Sequence, residues 1–235
     1  MEHLISLYDY SVSGNCYKVR LLLSLLRIPY NRIEVNIKKD QSKSDSFLND
    51  VTPTGRIPLL AIPKDYIHPL TKLSFSPTTT SINSSSSSNE DETKEKDEKD
   101  FIYLTESNAI LNLFADGTPL LPSTPIERAK TLQWLFWEQN SHEPNISVSR
   151  WWITYLDKGE DPEYLNQIVL KNKQGYEALN IMEEHLVSNE FFVGNKFSIA
   201  DIALYAYTHV AEEGMYGECI SLVKKSRKYA RIHSN

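Results

Sequence analysis

The sequence predicts an α/β domain followed by an all-helical domain. Two observations carry this: strand and helix signals alternate through the first 115 residues, and no strand signal of comparable strength follows residue 122. The first unit is expected over 1–115 and the second over 122–235, joined by the breaker-rich segment 116–122 (DGTPLLP).

Each element has a local reason. Residues 4–8 (LISLY) form a short apolar run of strand length, and the turn Ser13-Gly14-Asn15 follows. Val19, Leu22, Leu23 and Leu26 then recur at helical spacing, which puts four large apolar groups on one face, and Pro29 stops the helix. Ile33, Val35 and Ile37 alternate as a second strand. A short helical segment is expected around Phe47-Leu48, then a loop at Thr52-Pro53-Thr54-Gly55. Residues 57–62 read as a third strand, 101–104 as a fourth, and 106–114 as a helix with Ile110, Leu113 and Phe114 inward. The predicted order is β-α-β-α-β-β-α.

In the second part, Thr124-Pro125-Ile126-Glu127 combines a capping threonine, a proline at the first helical position and a capping-box glutamate. Asp161-Pro162 opens a long helix, along which Leu165, Ile168, Val169, Asn172, Tyr176, Leu179 and Leu186 keep helical spacing. Ser198-Ile199-Ala200-Asp201 is a second box, with Phe197 and Ile202 placed to form a hydrophobic staple. Trp134 and Trp137 are expected in the core.

Composition narrows the function classes. The chain has 235 residues and a formal net charge of −6, so a general nucleic-acid binder, which needs surplus Lys and Arg, is not expected. Two cysteines, Cys16 and Cys219, can build neither a disulfide framework nor a cysteine zinc site, and no C-x-x-C is present for dithiol redox chemistry. No run reaches the roughly 18 apolar residues of a spanning helix, and Met1-Glu2-His3 is not a secretory opening. A cytoplasmic protein without a membrane partner or a metal is expected.

The acidic charge is concentrated. Residues 90–100 (EDETKEKDEKD) hold seven acids against three lysines, directly after a Ser/Thr tract. The segment 74–100 carries too little apolar surface to offset its ordering entropy, and is expected to be a disordered, low-complexity insertion in the hairpin between strands three and four. The basic end beyond Glu218 reads as a solvated helix face, the alternative being an anionic partner.

Four motifs together resemble one family, the soluble glutathione S-transferases, with a thioredoxin-like first domain. They are Ser13-Gly14-Asn15-Cys16-Tyr17-Lys18-Val19, Thr52-Pro53-Thr54-Gly55-Arg56-Ile57-Pro58, Leu104-Thr105-Glu106-Ser107-Asn108-Ala109-Ile110, and residues 197–201. Residues 138–146 (EQNSHEPNI) are similar to bacterial-type members, and the S-x-N-x-x-K-V spacing to theta-like members that activate sulfur with Ser or Asn. The resemblance implies glutathione as co-substrate and a detoxifying conjugation of its thiolate to small hydrophobic electrophiles by a homodimer.

Glutathione is an extended tripeptide with two carboxylates, an ammonium and a thiol, and the motifs offer a partner for each. By resemblance, Ser13 and Asn15 activate the sulfur, with Tyr10 as an alternative, and a free thiol near 8.5 needs such help to ionise. The bond before Pro58 is implied to be cis, with the Ile57 backbone pairing the cysteinyl unit as an added strand would. The resemblance further implies that Glu106 faces the ammonium and that Ser107, at a helix N-terminus, holds the γ-glutamyl carboxylate. Lys43 matches the position that takes the glycyl carboxylate.

Taken alone, Glu106-Ser107 is an ordinary helix cap, and Ser13 and Asn15 a plain N-cap. Cys16 reads as a small buried helix residue rather than a nucleophile. Trp151, Trp152 and Tyr155, whose flat apolar faces suit an aromatic or alkyl compound, are the candidate second-substrate pocket. Two rivals stay open: a glutathione-dependent reductase or lyase, and a non-catalytic glutathione-binding protein. The usual Tyr-Pro and Trp-containing helix is replaced after residue 213 by Gly214-Met215-Tyr216-Gly217.

Overall fold

The computed structural model describes residues 4–75 and 101–214. The expectations for residues 76–100 and for the basic end therefore lie outside the described residues.

Four strands, β1 (Ile5–Asp9), β2 (Tyr30–Glu34), β3 (Leu59–Pro63) and β4 (Phe101–Thr105), form one sheet in the order β2-β1-β3-β4. β1 and β2 are parallel, from Ile5 opposite Tyr30 to Asp9 opposite Glu34. Parallel neighbours need a crossover, and α1 (Gly14–Leu25) supplies it. β3 runs antiparallel to both β1 and β4, with Leu59 opposite Thr105 and Pro63 opposite Phe101. Together with α2 (Ser107–Ala115) this is the thioredoxin-like arrangement followed by helices.

The alternation of β1 explains the core. Ile5 and Leu7 point under α1, where they meet Val19, Leu22 and Leu23, with Leu60 and Ile62 of β3 and Phe114 of α2. The same core continues into Leu135, Ile199, Ile202 and Ala203 of the helical half, so one packed body spans both halves. On the other face, Phe47 covers the sheet, its ring edge-on to Tyr8 at 5.8 Å.

Two expectations for the first half are corrected. β2 ends at Glu34, because Asn36 turns the chain by accepting the Lys39 N–H with its side chain, so Ile37 opens a 3-10 turn. Ile33 is exposed on this edge strand. No regular α-helix separates β2 from β3: two 3-10 turns (Ile37–Lys39 and Gln41–Lys43) and one π-type turn (Phe47–Val51) fill that place. The start of the expected insertion moves as well. Ser74 bridges Ile67, and Phe75 packs edge-on against Phe114 at 5.3 Å, so these two residues belong to the fold.

The helical half holds α3 (Pro125–Trp137), α4 (Glu143–Arg150), α5 (Pro162–Ser188) and α6 (Ile199–Thr208). Thr124 and Asp161 cap α3 and α5 as expected, and both bonds of the Ser198–Asp201 box are made. On α5 the inward stripe is Ile168, Asn172, Gly175, Leu179 and Met182. Val169 is 64% exposed and Leu165 also faces out, because α5 packs chiefly against α4 and needs only a narrow apolar face. Trp134 and Trp137 pack on a second core around Ile146, Leu179 and Leu204. Two π-type turns, Glu138–His142 and Trp151–Tyr155, interrupt the run from α3 through α4.

Candidate functional site

The end of β1, the start of β3 and the end of β4 meet at one edge of the sheet. Asp9, wholly buried there, is gripped by Arg20 and Arg32, which fixes the strand end from which the Ser13 turn departs. The Ser13 N–H donates to the Tyr10 carbonyl at 2.9 Å. Its hydroxyl accepts the Cys16 N–H at 3.3 Å as the N-cap of α1. Its hydrogen is directed at the Cys16 sulfur, a weak acceptor that a stronger anion beside the positive end of α1 would displace. Tyr10 is buried next to it, and burial, with Glu34 and Tyr155 adding, raises its phenol pKa.

Asn15 is occupied differently. Its Oδ1 accepts the Ser107 hydroxyl at 3.2 Å, joining the turn to the start of α2. Ser107 itself is buried, and α2 begins without a side-chain cap, so its first backbone N–H groups remain for an anion. Glu106, exposed at φ +67°, holds a backbone conformation that few non-glycine residues adopt. The Ile57–Pro58 bond is cis. Ile57 precedes Leu59, where the β3 register starts, and is half-buried. Lys43 donates to the Thr54 carbonyl at 3.0 Å, on the loop leading to Ile57. Gly55 is required at that loop: at φ +58°, an added Cβ would sit 2.5 Å from the Ser42 carbonyl.

The predicted aromatic residues gather. Tyr10, Ser13, Trp151, Trp152 and Tyr155 line one cavity of about 270 Å³ between the sheet edge and the helical half. Trp151 and Tyr155 stack at 5.3 Å. Cys16 is the buried helix residue expected, and burial pushes its thiol up to about 12 despite the Ser13 hydroxyl.

Several residues escaped sequence reasoning. Arg150, in the cavity wall, donates to the Val12 carbonyl at 2.8 Å, the Tyr155 hydroxyl at 2.6 Å and Glu213 at 2.7 Å, tying the Ser13 turn to the aromatic wall. Lys18 and Glu138, both with 0% side-chain exposure, pair at 2.7 Å across the two halves. Asn108 and Gln139 also donate to that Glu138 oxygen, at 3.1 and 2.9 Å. Lys18 was visible as part of its motif, but its partner lies 120 residues away and no local pattern pairs them. Among the described residues no group of His, Cys, Asp and Glu could hold a metal ion, and no helix is long and apolar enough to cross a membrane.

Comparison with known proteins gives the geometry its context. The family models described as the glutathione S-transferase N-terminal and C-terminal domains match residues 7–69 and 153–217. A crystal structure of a glutathione S-transferase from Pseudomonas fluorescens is 36% identical, superposes with a TM-score of 0.76, and covers 99% of this chain and 96% of its own. The disulfide-bond oxidoreductase YfcG of Escherichia coli is 25% identical over 207 residues, 88% of this chain and 80% of its own length. The same fold, at 19% identity and a TM-score of 0.68, occurs in a glutathione transferase from Pseudomonas putida solved with one glutathione disulfide bound per subunit; the match covers all of this chain and 88% of that one.

Proposed function

This chain belongs to the glutathione S-transferase family, and we propose that it binds glutathione, ionises its thiol at the Ser13 turn and adds the sulfur to small hydrophobic electrophiles. The observation that carries this reading is the single cavity in which Ser13 meets Tyr10, Trp151, Trp152 and Tyr155. A thiolate placed at Ser13 draws the hydroxyl hydrogen away from the neutral Cys16 sulfur and lies near the N-terminus of α1, both of which favour the anion. Asn15 is the second residue of this activating loop. The aromatic walls exclude water and receive the electrophile.

The peptide lies along the sheet edge. The Ile57 backbone pairs with the cysteinyl unit, and Lys43 takes the glycyl carboxylate. Ser107 and the uncapped first turn of α2 take the γ-glutamyl carboxylate, and Glu106 the ammonium. Homodimer assembly is part of the same reading, supported by the exposed Leu132 and Phe136 on α3 and Phe101 on the edge strand β4.

The similarity to YfcG favours a second reading, disulfide reduction at the expense of glutathione. With Cys16 buried and protonated, that exchange would run between sulfurs of glutathione and substrate, without the Cys16 thiol. The experiment is retention on immobilised glutathione, followed by thiol consumption with aryl halides, enones and a low-molecular-weight disulfide. Conjugate formation is expected. Consumption only with the disulfide selects the second reading, retention without turnover indicates a binding protein, and failure to be retained overturns the proposal.

A further inference from the structure

We infer that Asn15 is a positioning residue for Ser107 in the γ-glutamyl site, held from the helical half by Gln139 and Glu143, while of the two loop residues it is Ser13 that activates the thiol. This rests on the glutathione-binding reading above and divides the labour within its activating loop.

The Asn15 Nδ2 faces Glu143 Oε1 at 3.5 Å, and a carboxylate only accepts. The amide oxygen therefore points the other way, where it meets the Ser107 hydroxyl at 3.2 Å and the Gln139 amide nitrogen at 3.5 Å. An amide oxygen only accepts as well, so the Ser107 hydrogen is committed to Asn15. What Ser107 presents to a γ-glutamyl group is then its oxygen lone pairs, for the ammonium, and its backbone N–H, for the carboxylate.

The support beneath Asn15 is rigid. Glu143 also accepts the Ser147 hydroxyl at 2.8 Å, and Gln139 is tied at 2.9 Å to Glu138. Glu138 is in turn fixed by Lys18 and Asn108. The Asn15 backbone N–H donates to the Tyr207 hydroxyl at 3.2 Å. A second, independent observation agrees: Val12, Ser13 and Gly14 line the aromatic cavity and Asn15 does not. Its amide is turned from the place where sulfur meets electrophile toward the peptide-holding end.

The test uses the full chain, with glutathione affinity measured by titration calorimetry and ionisation of the bound thiol by ultraviolet thiolate absorbance. Asn15→Ala is expected to weaken glutathione binding about tenfold, the worth of one hydrogen bond near a charged group, with the thiol's pH midpoint unmoved. Asn15→Ala combined with Ser107→Ala is expected to bind no worse than Ser107→Ala alone, within about twofold, because one acts through the other. Gln139→Ala, milder and half-buried, is expected to weaken binding about threefold in the same sense, and serves if Asn15→Ala does not fold. A raised thiol midpoint in Asn15→Ala at unchanged affinity overturns the inference, as do losses that multiply in the double variant. If the wild-type chain binds no glutathione, the underlying reading fails first, and that is seen before any variant is made.

Discussion

His142 shows how one buried atom sets a pH limit. Its Nε2 lies 2.9 Å from the Thr208 hydroxyl, which already donates to the Leu204 carbonyl. Thr208 must therefore accept, so the hydrogen sits on Nε2 and Nδ1 carries a lone pair, 4.0 Å from Glu138 Oε1. Burial pushes the imidazole down to about 4, against the pull of Glu138 and with the push of Lys18. The unfolded value is near 6.5, so below it the unfolded chain binds more protons than the folded one. Stability that is complete above about pH 6.5 is lost as pH falls through about 4, on the order of 3 kcal/mol from this residue. Urea midpoints from pH 7 to 4 are expected to fall less steeply in His142→Gln, which keeps a donor for Thr208 without a proton to bind. Equal slopes in the two proteins would refute this.

The same scale shows what sequence resolves. The character of Cys16 was legible, because a small residue one turn into an apolar helix is usually core. The neutrality of His142 was not, because it depends on burial by distant residues, and its tautomer on Thr208, which lies 66 residues on.

At the scale of elements, local chemistry was legible and distant pairing was not. The caps at Thr124, Asp161 and Ser198 were readable because a cap is written within four residues. β2 was overextended because alternation continues through Ile37 while the Asn36 side chain ends the strand. The two π-type turns leave no periodic trace, yet one carries Glu138 and the other the aromatic wall. The contact of α1 with the helical half includes, beside its apolar core, the buried Lys18–Glu138 pair. Lys18→Met strands a buried carboxylate and is expected to cost about 3–5 kcal/mol. Lys18→Met with Glu138→Met removes both charges and is expected to recover part of that loss. Urea unfolding of the three proteins checks the order, and a double variant less stable than the single one contradicts it.

The whole molecule sets the proposed glutathione end of the sheet apart from the β3–β4 connection. β3 and β4 meet the site at Leu59 and Thr105 and leave it at Pro63 and Phe101, the opposite end of the ladder. A deletion of residues 77–99 is therefore expected to leave glutathione affinity within about twofold, a change too small to count as one lost hydrogen bond. A deletion that begins at residue 74 also removes Phe75 from its packing against Phe114 and Tyr66, and is expected to cost about 1–3 kcal/mol further. Thermal and binding titrations of the two deletions distinguish these outcomes, and a folded 77–99 deletion without affinity would show the topology argument to be wrong. The two-part architecture was readable, and the motifs that gather at one end of the sheet could be located, because each motif is contiguous. The continuity of one core across both parts was not, because Leu135 and Ile199 join Ile5 and Leu7 only in space.

The proposed chemistry turns on the sulfur of bound glutathione. Its ionisation, followed by thiolate absorbance against pH in wild type and in Ser13→Ala, is the direct measurement. A wild-type midpoint clearly below the free value of about 8.5, raised by about 1–2 units in Ser13→Ala, is the predicted result. A bound thiol that titrates as it does free in solution, or one indifferent to the loss of the Ser13 hydroxyl, would contradict it.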